Sequence, residues 1–236
     1  MTAAARGREP SDAAATRATR PDRSTVAAPA GRVPPWWAGA CLELRESDPR
    51  FVPLIDQCPP LRAGARGDAF ATLARSIVGQ QVSVKAAQSV WERLTGVCGR
   101  PSPATLARVS IAELRACGLS TRKAEYIGGL ARHFLERPAS APEWSRMDDA
   151  AIVAELVSVR GIGVWTAQMF LIFHLARPDV LPLADLGLRR AIALRYGRGR
   201  DPAQRTLARL SALWQPWRTA ATWYLWRSLD PEPVRH

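Results

Sequence analysis

The residues with the greatest chemical potential gather between Asp148 and Arg195. The centre of this stretch reads Leu156-Val157-Ser158-Val159-Arg160-Gly161-Ile162-Gly163-Val164-Trp165-Thr166-Ala167. Apolar residues recur at helical spacing before the glycines (Ile152, Val153, Leu156, Val157, Val159) and after them (Trp165, Met169, Phe170, Ile172, Phe173). The pattern predicts two helices joined by a tight turn. There Gly161 and Gly163 can each take positive φ and admit another backbone closely. The second helix begins at this turn, so its unpaired N–H groups and positive dipole end suit a phosphate. Glycine spacing alone is a weak signal, because many helical hairpins use it for geometry. Further on, Asp185 stands before Leu-Gly-Leu-Arg-Arg, which is how a helix N-cap reads. On pattern alone, capping outweighs catalysis. The two roles are compatible, since a helix N-terminus favours the charged form of a nearby carboxylate. Asp179, ahead of the Pro182 segment, is the nearest rival acid.

These residues must be positioned by helices, because no stretch alternates as a strand does. Order is expected from Pro34-Pro35-Trp36-Trp37, with one short helix to Glu46 and another from Asp48 to Gln57. Asp68 reads as the cap of a helix through Val78. Gly79-Gln80-Gln81-Val82-Ser83 then breaks it, and a new helix opens at Val82 or Ser83 and runs to Leu94. Ser110 with Glu113 forms a capping box, and Gly118 ends that short helix. Ser120-Thr121 starts a helix to Glu136, and a Pro138–Pro142 loop leads into the central hairpin. Pro178 and Pro182 mark an extended connection. Asp185 opens a helix to Tyr196, Asp201-Pro202 opens another to Trp214, and Pro216 is expected in the first turn of a last helix through Ser228.

Composition narrows the function classes. The chain has 236 residues, is 47% hydrophobic and carries a net charge of +12. That charge favours a polyanionic partner without specifying a fold. The basic residues are nearly all Arg, a bias that an Arg-rich genome would also produce. Lys occurs only at Lys85 and Lys123, so candidates for a Schiff-base lysine are nearly absent. Cys41, Cys58, Cys98 and Cys117 form no C-x-x-C pair and have no neighbouring His, which argues against zinc, against a disulfide framework and for a reduced cytosol. No apolar run approaches the ~20 residues of a membrane span. Residues 1–32 hold six Arg against three acids and almost no large apolar side chain. They read as a disordered, mildly basic tail with no signal-peptide core.

Taken whole, Val-Arg-Gly-Ile-Gly-Val-Trp-Thr-Ala over 159–167, with Asp185 at its spacing from Gly163, resembles the helix-hairpin-helix DNA glycosylases. Within them the chain is most similar to the 3-methyladenine DNA glycosylase II family, from about Gly67 to Arg227. The resemblance implies that Asp185 is the essential carboxylate, which stabilises the sugar as it turns cationic and orients or deprotonates water. It places Trp165 where bifunctional relatives hold a nucleophilic lysine. An indole forms no imine, so the implied chemistry is hydrolytic and monofunctional. Trp226 matches a second pocket aromatic, and Met169 lines the pocket where some relatives have tyrosine. Core packing is the plain alternative for all three. The implied pocket binds a cationic N-alkylated purine by stacking and cation–π attraction. Gln81 matches the side chain that fills the gap left by a flipped base, with an exposed loop glutamine as the plain alternative.

Phosphate contacts are implied for the amides of Gly161, Gly163 and Val164, with help from Arg160. Arg189, Arg190, Lys85 and Arg122 are further candidates, but on a chain this basic a solvated surface charge outweighs a phosphate contact for each of them alone, Arg160 included. In relatives a monovalent cation sits under the hairpin, and the matching carbonyls are Val157, Val159 and Ile162. No other cofactor is required. An iron–sulfur cluster is not expected, because no Cys follows Cys117.

The expected fold is all-α, of the shorter type without the β-rich domain found in front of many relatives. One lobe combines residues 33–66 with 176–236. The other spans 67–175 and carries the helix-hairpin-helix over about 148–175. A cleft lies between them. The expected activity is removal of alkylated purines from double-stranded DNA by a monomeric, cytoplasmic, nucleoid-associated protein of bacterial type, with no membrane partner. A glycosylase for oxidised or mispaired bases is the rival within enzymes. A non-catalytic helix-hairpin-helix clamp is the rival outside them.

Overall fold

The computed structural model describes residues 31–64, 68–137 and 141–230. The tail expected over residues 1–32 lies, apart from Gly31 and Arg32, outside them, as do residues 138–140 of the proline loop. The described architecture is all-α. In order come α1 (Trp37–Ser47), α2 (Val52–Gln57), α3 (Ala69–Gly79), α4 (Val84–Cys98), α5 (Pro103–Leu106), α6 (Ile111–Ala116) and α7 (Thr121–Glu136). They are followed by α8 (Ala141–Trp144), α9 (Asp149–Ser158), α10 (Val164–Phe173), α11 (Leu186–Tyr196), α12 (Gln204–Leu213) and α13 (Arg218–Arg227). Extended pairing among the described residues is one antiparallel bridge between Arg32 and Ala63. No helix among them is long and apolar enough to cross a membrane.

Side-chain caps set most of the helix starts. Asp68, Ser83, Ser120 and Asp148 each accept the amide three residues on. Ser110 and Glu113 close the expected capping box. A second box, Ser102 with Thr105, starts α5 in a stretch that reads as loop from sequence. The short α8 starts inside the expected Pro138–Pro142 loop, at Ala141, and runs beyond it to Trp144. The helix expected from Asp48 opens as a 3₁₀ turn over Pro49–Phe51, where Asp48 accepts the Arg50 amide, and becomes α-helical only at Val52. Three further boundaries differ from expectation for local reasons. Helix α4 continues past Leu94, where Thr95 Oγ1 and Cys98 Sγ donate to the carbonyls of Trp91 and Leu94 and Gly99 ends the helix at φ +66°. Helix α12 begins at Gln204 because Asp201 pairs with Arg189 of α11 instead of capping. Pro216 follows a cis bond from Gln215 and precedes α13 rather than lying in its first turn.

Packing then fixes the site's supports. Helix α3 buries Phe70, Leu73, Ala74, Ile77 and Val78 against α4 and α7, and α7 answers with Ala124, Ile127, Leu130, Ala131 and Phe134. Helices α9 and α10 pair as the two arms of the hairpin, with α10 against α3. Edge-to-face contacts run from Phe134 to Trp144 and on to Phe170, which stacks on His174. Elsewhere α13 packs on α1, α2 and α11. The connection from α10 to α11 is laid along α13. The Thr219 amide donates to Pro178 O, the Val180 amide donates to Thr219 Oγ1, and the Arg218 guanidinium forks onto both oxygens of Asp179. Asp179 is thereby accounted for as a structural ion pair.

Asp48 lies between the first helices and the last ones. It is 1% exposed and accepts from the Tyr196 hydroxyl at 2.7 Å, and from Trp214 Nε1 at 3.4 Å. Burial first, and then this partner, push the Tyr196 hydroxyl above the usual tyrosine range. Asp48→Ala strands both donors in the interior. Urea unfolding of that variant should show a loss of about 2–3 kcal/mol.

Candidate active site

The hairpin turn is built by one glycine and started by the other. Gly161 has φ +100°, and a Cβ there would stand 2.4 Å from the Tyr126 ring of α7. Only glycine fits. Gly163 departs from expectation, since its φ of −92° is ordinary extended backbone at the N-cap of α10. A Cβ at Gly163 would meet nothing within 4 Å. The first amides of α10, beginning at Val164, have no acceptor one turn back. Val164 is exposed there. The Ile162 amide donates to Val159 O at 3.0 Å, so that carbonyl could offer a cation only its second lone pair. The Val157 and Ile162 carbonyls belong to the same hairpin. Arg160 reaches outward, 4.0 Å from Glu125 and 5.9 Å over the Tyr126 ring, in loose contacts of little energetic weight.

Asp185 is the N-cap of α11, as its pattern predicts, and also the centre of the site. Its Oδ1 accepts the Leu188 amide at 2.7 Å and Trp226 Nε1 at 2.9 Å. Its Oδ2 accepts Trp165 Nε1 at 2.9 Å. The residue is only 5% exposed, yet Trp165 beside it is 45% exposed. The acid thus sits just inside a surface rimmed by an open indole ring. All three groups are N–H donors, which complements an anion. The two tryptophans come from α10 and α13, so a single carboxylate joins three helices.

Met169 follows Trp165 by one turn of α10 and is half-buried against the core. Phe173 continues the same stripe and stacks on Trp226, with ring centroids 6.1 Å apart and planes at 11°. In the sequence Phe173 falls on the apolar face of α10 with no role of its own. Its i+4 steps from Trp165 and Met169 were the available signal. Gln81 lies exposed in the turn between α3 and α4, at φ +57°. The adjoining Gln80 donates from Nε2 to Gly161 O at 2.9 Å. Lys123 Nζ donates to Val78 O at 2.8 Å and to Gln80 O at 2.6 Å. Burial lowers the Lys123 ammonium from the usual lysine range. No sequence signal pointed to Gln80, Lys123 or Tyr126, because their roles arise only where α3, α7 and the hairpin meet. Among the phosphate candidates, Arg189 is engaged with Asp201, whereas Lys85, Arg122 and Arg190 are exposed.

A sequence profile described as HhH-GPD superfamily base excision DNA repair protein matches residues 74–216. The Bacillus subtilis protein YfjP, provisionally named a DNA-3-methyladenine glycosylase, is 36% identical over 164 residues. That alignment takes in 66% of this chain and 57% of the relative, so the chain spans little more than half of that relative's length. The crystal structure of the Bacillus halodurans DNA-3-methyladenine glycosidase superposes with a TM-score of 0.74 at 32% identity, covering 80% of this chain and 88% of the other. The Schizosaccharomyces pombe 3-methyladenine DNA glycosylase in complex with abasic DNA superposes with a TM-score of 0.69 at 28% identity. That match covers 84% of this chain and all of the other.

Proposed function

Since the chain belongs to the HhH-GPD superfamily of base excision DNA repair proteins, we propose that it hydrolyses the N-glycosidic bond of alkylated purines of the 3-methyladenine type in double-stranded DNA. The observation that carries this reading is the Asp185 carboxylate, nearly buried yet bordered by the exposed ring of Trp165 and hydrogen-bonded to both indoles. In this reading the two helical lobes, residues 33–66 with 176–236 and residues 67–175, face each other across the cleft that receives the flipped nucleotide. The protein acts as a monomer on chromosomal DNA in the cytoplasm.

An N-alkylated purine carries positive charge, so the C1′–N bond can break with its electron pair going to a base that departs neutral. No general acid is needed for the leaving group. The sugar becomes cationic as the bond lengthens, and the Asp185 carboxylate lies where it can offset that charge. A water oxygen then bonds C1′, and its proton passes to Asp185 or to solvent. The aromatic faces of Trp165 and Trp226 hold the cationic ring meanwhile. Trp165 offers no amine for an imine, and Lys123 is committed to two carbonyls. That commitment favours water over a covalent route and an intact abasic site as product. Exposed Arg160 and the first amides of α10 take the phosphates. A cation under the hairpin would tighten that turn through the carbonyls of Val157, Val159 and Ile162.

The test is base release from matched duplexes carrying 3-methyladenine or 8-oxoguanine. Release of the alkylated base without strand cleavage is expected. Release of 8-oxoguanine alone would transfer the assignment to oxidative repair, and binding without release of either would leave a clamp. A pocket variant tests the stacking argument. Trp165→Ala should lower the preference for alkylated over normal purines about tenfold, in line with the energy of one base–aromatic stack. Unaltered selectivity would refute it.

A further inference from the structure

Two turns approach each other beside the site, and they come from different parts of the chain. One joins α3 to α4 and carries Gln81 in a left-handed conformation, φ +57°. The other is the glycine turn between α9 and α10. A helix remote from both in sequence connects them. Lys123 and Tyr126 lie three residues apart on α7 and so share a face. Lys123 places two N–H donors on the carbonyls of Val78 and Gln80, at 2.8 Å and 2.6 Å. The ammonium thereby satisfies the C-terminal end of α3, where carbonyls lack intrahelical partners and the dipole is negative. Gln80 then donates from Nε2 to Gly161 O at 2.9 Å. Tyr126 closes the circuit by filling the space where a Cβ on Gly161 would be. A chain with only two lysines thus directs one of them inward, onto backbone.

We infer that Lys123 and Gln80 are positioning residues, a brace that fixes the Gln81 turn against the hairpin turn so that both engage the same stretch of duplex together. The inference rests on the glycosylase reading, because only a protein that extrudes a nucleotide needs one turn to enter the gap while the other grips phosphate. The brace acts on register and not on charge. Removing it should therefore leave loose attraction to intact DNA in place and damage recognition of a gap.

The experiment compares binding to an intact duplex and to one holding a tetrahydrofuran abasic-site analogue, across a salt series. In Lys123→Met and in Gln80→Met, the preference for the abasic duplex should fall about tenfold. Affinity for intact duplex should stay within about twofold, with an unchanged salt slope. Lys123→Arg should keep most of the preference, since a guanidinium can still serve two carbonyls. Gln80→Met keeps the test decisive if Lys123→Met loosens α3, which thermal unfolding of each variant would reveal. Unchanged preference in folded variants overturns the brace. So does equal weakening on both duplexes, which would make these residues ordinary contacts. Wild-type protein that neither prefers the abasic duplex nor releases an alkylated base would remove the glycosylase reading itself, and the inference with it.

Discussion

Asp185→Asn should reduce release of 3-methyladenine from duplex DNA at least about a hundredfold while leaving affinity for the same DNA within about threefold. The magnitude follows from the role proposed for the charge, since removing one preorganised electrostatic group from such a site costs about 10²–10³ in rate. The geometry also says what else the substitution disturbs. Asparagine is as good an N-cap as aspartate, so its oxygen can keep the Leu188 amide and α11 survives. That amide offers one oxygen where the carboxylate offers two, and its NH₂ group cannot accept. One of the two indole N–H groups therefore loses its acceptor, at about 1 kcal/mol of stability. Asp185→Ala should cost about 1 kcal/mol more by removing the cap as well. Single-turnover release and fluorescence anisotropy separate rate from binding. A folded Asp185→Asn protein that releases base at the wild-type rate would end the catalytic assignment.

The second large effect lies at the hairpin, where the two glycines should behave oppositely. Gly161→Ala puts a methyl group 2.4 Å from the Tyr126 ring on a backbone at φ +100°. Left-handed strain of about 1–3 kcal/mol and overpacking of a similar size act together. A destabilisation of about 3–5 kcal/mol is expected, together with loss of DNA binding. Gly163→Ala meets no such obstacle: its φ is −92° and a Cβ there has nothing within 4 Å. Its stability should change by less than about 0.5 kcal/mol. Its affinity for duplex should still fall, because in the proposed complex that open space belongs to a phosphate. Denaturant midpoints and binding isotherms for the pair test both halves. Equal destabilisation by the two substitutions would contradict the division of labour between turn and grip.

Much of this architecture was legible because its determinants are local. Asp68, Ser83, Ser110, Ser120 and Asp185 announce helix starts through a bond to an amide three residues on, and such a bond depends on little else. The hairpin could be read for the same reason, from apolar periodicity interrupted by Gly161 and Gly163. What sequence could not supply was decided by distant partners. Asp201 looks like a cap but pairs with Arg189, so α12 starts later. Pro216 looks like a first-turn proline, but Arg218 begins the helix and holds Asp179. At the site, Asp185, Trp165 and Trp226 all stand out in the chain through the family resemblance, yet nothing in the chain states that one carboxylate accepts from both indoles. Lys123 and Gln80 lie 43 residues apart in sequence, and no periodicity links them.

The double tether at Asp185 has a consequence for how the proposed enzyme would discriminate between bases. Both indoles are fastened to the very group that would perform the chemistry, so under the proposed activity neither ring can swing without dragging the charge along. A base too bulky to lie against them would displace an indole and carry the carboxylate out of register with the sugar. Rejection and inactivity would then be one mechanical event, and poor fit would silence the chemistry without any separate checking step.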